Sequence, residues 1–230
     1  MQPRLRPTID AVIPARDEAP TVADVVSAVR NCTYVREVIV VDDGSTDDTC
    51  ERASDAGAKV VRRAASEGSK AKAMEAGVEV SDADAILFVD ADLLGLTSSH
   101  LDAICEPFVA GRAIMSLGTF DYGFWNWLVL RFPPTSGERI VPRWVFDAVP
   151  PEKRDGYTIE VFLNEVITEA RKPTVARVMN GVTHRTKRDK FGRAEGYRRT
   201  WRMFWDLWAL WGVCRKRTYW FYLRDLTIER

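Results

Sequence analysis

Histidine and cysteine are scarce in this chain of 230 residues, with two of the first and four of the second. Cys32, Cys50, Cys105 and Cys214 form no Cys-x-x-Cys pair and match no metal-finger spacing, so they read as reduced cytosolic thiols. No run of about 18 uncharged apolar residues exists, which predicts no spanning helix. The first residues lack the long apolar centre of a secretory signal. Neither Gly-x4-Gly-Lys-Ser/Thr nor a Gly-x-Gly-x-x-Gly after the first apolar run is present, which disfavours an ATPase or a nicotinamide enzyme. Net charge is missing as well: 33 Lys and Arg balance 33 Asp and Glu. That argues against a uniformly basic nucleic-acid binder. There is no internal repeat and no low-complexity tract.

What is present is a chain able to build a core, with 46% hydrophobic residues. The zero charge hides a gradient. Residues 1–170 carry 17 Lys/Arg against 28 Asp/Glu, whereas residues 171–230 carry 16 against 5. Over residues 1–110, β-branched runs (Ile9–Ile13, Glu37–Val41, Ala58–Val61, Ala85–Val89) alternate with helical patterns at Thr21–Arg30, Thr46–Ala56 and Ser69–Val80. This alternation predicts an α/β fold with a sheet covered on both faces. Beyond Gly111, a strand near Ala113–Leu117, an aromatic helix over Phe124–Phe132, a helix over Tyr157–Arg171 and a strand at Thr174–Met179 extend the same sheet.

Ligands of such sheets bind beyond the carboxyl ends of the strands, and the polar motifs of this chain fall there. The first run ends in Pro14-Ala15-Arg16-Asp17-Glu18. The second ends in Asp42-Asp43-Gly44-Ser45-Thr46-Asp47-Asp48, whose carboxylates suit a base or ribose. Ser45 or Thr46 as a helix cap, with Asp47 and Asp48 in the first turn, explains the same residues. Lys70 opens a small-residue helix, as a diphosphate site does and as a solvated lysine also does. The fourth run enters Asp90-Ala91-Asp92, two hard oxygen donors suited to Mg2+ or Mn2+, or a polar strand end.

Together these motifs resemble the nucleotide-sugar half of GT-A glycosyltransferases of the family 2 type. Ser136–Arg139, Gly156–Glu160 and Asn180–His184 resemble the acceptor half of glucosyl-3-phosphoglycerate synthases and polyprenyl- or dolichyl-phosphate sugar transferases. The likeness implies a Rossmann-like GT-A mixed sheet flanked by helices. Residues 1–196 would form the catalytic domain, with a nucleotide-sugar half at 1–110 and an acceptor half at 111–196. It implies that Pro14, Ala15, Arg16, Glu18, Asp42, Asp43, Lys70, Asp90 and Ala91 line the nucleotide. It further implies a Mg2+ or Mn2+ ion on Asp90, Asp92 and His184. Gly137, Glu138 and Arg139 would hold the acceptor, Arg139 being suited to phosphate oxygens. Asp92 and Glu160 would carry the chemistry, Glu160 as general base for a hydroxyl acceptor; an exposed helical Glu is its plain alternative. Where the family usually reads Gly-Lys-Gly, Ser69 and Ala71 flank Lys70. Val182 stands two residues before His184, where the phosphoglycerate enzymes tend to carry Arg.

The tail, 197–230, repeats Trp201, Phe204, Trp205, Trp208 and Trp211 at helical spacing among Arg198, Arg199, Arg202, Arg215, Lys216 and Arg217. This predicts an amphipathic helix lying at a membrane interface, or one docked on the catalytic domain or on a second copy in a homodimer. The expectation is therefore a cytoplasmic enzyme, peripheral at the cytoplasmic membrane face, moving a hexose from UDP-glucose or GDP-mannose to polyprenyl phosphate. A small soluble acceptor such as phosphoglycerate is the alternative, and a non-catalytic nucleotide-sugar-binding adaptor is the alternative of another class. No nucleic-acid partner is expected.

Overall fold

A computed structural model of the protein describes residues 6–64, 69–121, 123, 136–154, 159–185 and 223–229. The expected aromatic helix at Phe124–Phe132 and nearly all of the Trp/Arg tail lie outside these residues.

β-branched alternation produces a strand where both faces are covered, and this occurs four times early in the chain. Strands β1 (Ile9–Ala15), β2 (Glu37–Asp42), β3 (Lys59–Arg62) and β4 (Ala85–Phe88) follow, separated by helices α1 (Val22–Arg30), α2 (Thr49–Asp55) and α3 (Lys70–Val80). After a two-residue strand β5 (Leu93–Leu94) come α4 (Ser98–Val109), β6 (Met115–Phe120), β7 (Arg139–Pro142), α5 (Arg143–Asp147), α6 (Ile159–Glu169), β8 (Thr174–Met179), β9 (Thr183–His184) and β10 (Leu226–Glu229). Strands pair in the order β10-β8-β6-β7-β4-β1-β2-β3, while β5 and β9 form a separate ladder. Every neighbouring pair in the large sheet is parallel except those of β7, which runs against β4 and β6.

Side chains alternate across the sheet with a period of two. Ile9, Ala11 and Ile13 of β1, Val38 and Val40 of β2, and Ala85 and Leu87 of β4 join one core, under α1 and α4. Val12, Ile39, Val41, Ile86 and Phe88 face the other, under α3, α5 and α6. Helix α3 comes so close to the sheet that a Cβ on Gly77 would lie 2.3 Å from a methyl of Val12. The result is a three-layer sandwich whose hydrophobic material is split almost evenly by the sheet.

Helices α4 and α5 and strands β5, β7 and β9 were not among the expected elements. Helix α4 hides in a stretch without charge periodicity. Its signal was Thr97 with His100, whose Nδ1 accepts from Thr97 N at 3.2 Å, followed by buried Leu101, Ile104 and Cys105. Strand β7 is four residues long, with an arginine at its start and a proline at its end, so only Ile140 and Val141 mark it in the sequence. The strands of the second half do continue the sheet, as the sequence indicates. The tail differs from its expected form at its far end: Leu226–Glu229 pair in parallel with Thr174–Arg177 and form the edge of the catalytic sheet. Glu229 there pairs with Arg112 and Arg177 at 2.8 and 2.7 Å.

Candidate active site

The carboxyl ends of β1, β2 and β4 converge, and β7 is the element that closes the site. Because it runs antiparallel, its first residue, Arg139, sits opposite Phe88 at the end of β4. The preceding residues Ser136–Glu138 therefore meet Asp90. The approach is so tight that a Cβ on Gly137 would fall 2.3 Å from Asp90 Oδ2. Only glycine fits there, for lack of space rather than for backbone freedom.

The loops after β1 and β2 are stitched together by side chains. Asp17 stands at φ 56°, a left-handed conformation that its short polar side chain tolerates. Its Oδ1 accepts from Thr46 N at 2.8 Å, and its own N–H donates to Ser45 Oγ at 3.0 Å. Glu18 N donates to Thr49 Oγ1 at 2.8 Å and Ala19 N to Asp47 Oδ2 at 3.1 Å. Ser45 and Thr46 thus serve the neighbouring loop, and neither caps α2; Asp48 holds that position. Thr21 Oγ1 donates to Ala91 O at 2.7 Å, tying the end of β4 to the start of α1. Of the residues expected at the nucleotide, Ala15, Glu18, Asp42, Asp43 and Ala91 are buried, Pro14 and Asp90 are half-buried, and Arg16 is exposed.

Asp42 Oδ1 accepts from Ser45 N at 3.1 Å and so shapes the turn. Asp43 is anchored by its backbone, N to Ala15 O at 2.9 Å. Its carboxylate forms a short ion pair with Arg63 Nη1. Sequence reasoning missed Arg63. The signal was the basic pair Arg62-Arg63 where β3 ends, at the same sheet edge as the other motifs.

Lys70 is no solvated helix-start lysine. Its ammonium lies 2.6 Å from Asp90 Oδ1 and 2.9 Å from Glu160 Oε1. Burial disfavours its charge, but the two carboxylates overcome this and hold its pKa above the ordinary lysine value. Ser69, where glycine is usual, supplies the N-cap of α3, accepting from Lys72 N at 3.4 Å. Ala71 packs in the core under the sheet. Glu160, on the first turn of α6, is buried rather than an exposed helical residue.

Glu138 is buried beneath this cluster, with Oε1 lacking a hydrogen-bond partner among the described residues. Desolvation first, and then the nearby Asp90 charge, push its pKa up to about 7, against smaller opposing effects of Ser136 and Lys70. The geometry agrees. Ser136 Oγ is 2.5 Å from Gly118 O and 2.7 Å from Glu138 Oε2. One hydroxyl hydrogen cannot serve both, so both contacts are hydrogen bonds together only when Glu138 carries a proton.

Arg139 departs from its expected place on acceptor phosphate. It is fully buried, with Nη2 donating to Ser136 O at 2.6 Å and Nη1 to Asn164 Oδ1 at 2.9 Å and Glu160 O at 3.2 Å. It braces the Ser136–Glu138 loop against α6.

The expected metal donors are only partly brought together. Asp90, Asp92 and His184 combine hard carboxylates with an imidazole, a set that suits Mg2+ or Mn2+. The short ladder pairs His184 with Leu93, and Arg185 N donates to Asp92 O at 2.9 Å, so Asp92 and His184 are backbone neighbours. Asp90, however, is engaged by Lys70, and the His184 ring packs on Phe120 at 5.3 Å between centroids. Among the described residues no three His, Cys, Asp or Glu side chains form a group that could hold an ion. By donor chemistry and placement, Asp92 and His184 fit the role best. Val182, where an arginine is usual, is buried in the core.

The model of the glycosyl transferase family 2 matches residues 10–154. The chain belongs to this family. The match covers the loops after β1, β2 and β4, Lys70 and the Gly137 approach. Glucosyl-3-phosphoglycerate synthase of Mycolicibacterium paratuberculosis is 33% identical over 121 residues, which are 49% of this family 2 chain and 37% of that relative. The synthase of Mycolicibacterium smegmatis is 39% identical over 110 residues, 44% of this chain and 36% of the relative. Glycosyltransferase AglJ of Haloferax volcanii is 43% identical over 90 residues, 37% of this chain and 29% of the relative. The matches thus span between 29% and 37% of these relatives' length. Among solved structures, the glucosyl-3-phosphoglycerate synthase of Mycobacterium tuberculosis in complex with Mn2+, UDP-glucose and phosphoglyceric acid superposes with a TM-score of 0.66. That likeness has 25% identity and covers 78% of this chain and 72% of the other.

Proposed function

We propose that this family 2 glycosyltransferase moves glucose from UDP-glucose to a small phosphorylated acceptor of the phosphoglycerate kind. The observation that carries the reading is the Lys70–Asp90–Glu160 cluster against Gly137, because it joins residues of the two halves of the site. Its support is the likeness to a synthase whose structure holds Mn2+, UDP-glucose and phosphoglyceric acid. Polyprenyl phosphate at a membrane face, the main expectation from the tail, gives way to its alternative. The support for the alternative is that the relatives include glucosyl-3-phosphoglycerate synthases.

In this reading the loops after β1 and β2 hold the nucleotide, with Asp42 shaping the turn and Asp43 presented at its floor. Lys70 stands at the start of α3, where backbone N–H groups and its own charge favour an anionic diphosphate. A Mg2+ or Mn2+ ion held by Asp92 and His184 would supply positive charge to the departing diphosphate. Glu160 is held next to Lys70, so it enters the reaction as an oriented carboxylate able to accept a proton or a sugar hydroxyl bond. Glu138 lies behind Asp90 and limits how much negative charge the cluster carries.

The test is transfer of labelled glucose from UDP-glucose to 3-phosphoglycerate or to polyprenyl phosphate, with Mn2+ and with EDTA. Product from phosphoglycerate only, abolished by EDTA and by Asp92→Ala, is expected. Transfer to the lipid alone, or none to either acceptor, refutes the reading.

A further inference from the structure

We propose that Cys32 and Cys105 form a peroxide-sensitive pair, two buried thiols that oxidation joins into a reversible disulfide fastening the end of α1 to α4. Neither cysteine belongs to the proposed transfer site.

Cys32 follows the C-cap residue of α1, and Cys105 lies within α4. Both belong to the core under α1 and α4, at 4% and 0% exposure. Their thiols share a hydrogen bond, so the two sulfurs meet where the helices pack together. The Cys32 thiol also donates to Asp102 Oδ1 at 3.2 Å. Asp102 stands three residues before Cys105 on α4, and its carboxylate is fixed by Thr33 N at 2.7 Å and Thr33 Oγ1 at 3.1 Å. Asn31 and Thr33, on either side of Cys32, are exposed, whereas Cys105 is enclosed by its helix and the core.

This arrangement gives the two sulfurs different parts. The hydrogen bond from Cys105 holds the Cys32 thiol below its ordinary pKa, against burial and the Asp102 charge. The same bond, and then burial, push Cys105 up. Cys32, nearer to solvent and more readily ionised, is therefore the attacking sulfur. It opens the O–O bond of hydrogen peroxide and keeps one oxygen as a sulfenic acid, while the thiol proton leaves with the other oxygen as water. The Cys105 sulfur then displaces the sulfenic hydroxyl, which leaves with the Cys105 proton as a second water, and the S–S bond forms. Two thiols are oxidised and one peroxide is reduced to two waters; a dithiol reductant reverses the change. Helix α4 packs on β6 and β8 as well as on α1. The bond thus links the first helix to the one that covers the second half of the sheet, and closes a long loop of the unfolded chain.

The experiment treats the full chain with hydrogen peroxide, blocks the remaining thiols by alkylation and digests it without reductant for mass spectrometry. The wild type is expected to yield a peptide pair linked through Cys32 and Cys105, two hydrogens lighter than its parts and separated again by dithiothreitol. Its Tm should rise by about 5 °C or more on oxidation and return on reduction. Cys32→Ser and Cys105→Ser should show neither the link nor the rise. Preference for this link should disappear when the chain is unfolded in urea before peroxide is added. Oxidised Cys32 without a link, a link through Cys50 or Cys214 in its place, a link that forms only after unfolding, or a fall in Tm on oxidation would each overturn the inference. Should either serine variant fail to fold, the folded wild type against its urea-unfolded form decides.

Discussion

At Gly137 a single methyl group decides the fit against Asp90. Alanine there would force the Asp90 carboxylate aside, because the added Cβ would fall 2.3 Å from Asp90 Oδ2 while Lys70 holds Oδ1 at 2.6 Å. Displacement of a ligand-positioning group by about 1 Å costs on the order of a hundredfold in rate. Gly137→Ala is expected to fold and to lose about that factor in kcat, read from product formation at saturating UDP-glucose. At Glu138 the expectation concerns pH. Its carboxyl is raised in the folded state to about 7, so its favourable contribution is complete below its ordinary unfolded value and is lost as pH rises through about 7. Melting of wild type and Glu138→Gln between pH 5 and 8 checks this: the wild type should lose stability relative to the variant as pH rises. A constant difference would show that the carboxyl does not titrate in that window.

At the scale of elements, Arg139 links β7 to α6. Its guanidinium satisfies Ser136 O, Glu160 O and Asn164 Oδ1 at once and is fully buried. Arg139→Met would leave those acceptors buried and unpaired, at roughly 3 kcal/mol. A drop of that size in urea-unfolding free energy is expected, together with weaker sugar-nucleotide binding as α6 and Glu160 lose their brace. Retained stability would mean that water fills the place. The arginine was visible in the sequence as one of a polar group at 136–139. That it faces inward was not, because burial depends on which neighbours a four-residue strand meets.

Taken whole, the molecule is tied at its far end. Strand β10 covers the edge of β8, and Glu229 pairs with Arg112 and Arg177, both beside Glu106. Removing residues 226–230 would strip the last ladder and leave β8 as a free edge. A lower Tm is expected, by about 2–4 °C for each kcal/mol lost in a chain of this size. Size-exclusion chromatography should also show self-association. An unchanged melt would show that the final strand is dispensable. The charge gradient is crossed at this scale, since Arg177 of the basic quarter pairs with Glu106 of α4 while Glu229 of the same quarter pairs with Arg112.

Periodicity and motif order in the sequence determined the α/β class, the covered parallel strands, the helices between them, and the strand-end placement of Asp42, Asp43, Lys70, Asp90 and Asp92. Those are local properties: alternation of β-branched residues, helical spacing and the chemistry of a loop all act over a few neighbours. Only the tertiary structure decided that β7 runs backwards and carries Gly137 onto Asp90. It alone showed that Lys70 bridges Asp90 and Glu160 across 90 positions, that Arg139 turns inward, and that Arg63 meets Asp43. Each of these is a contact between different elements, set by strand order and register, and none is written in the spacing of neighbouring residues.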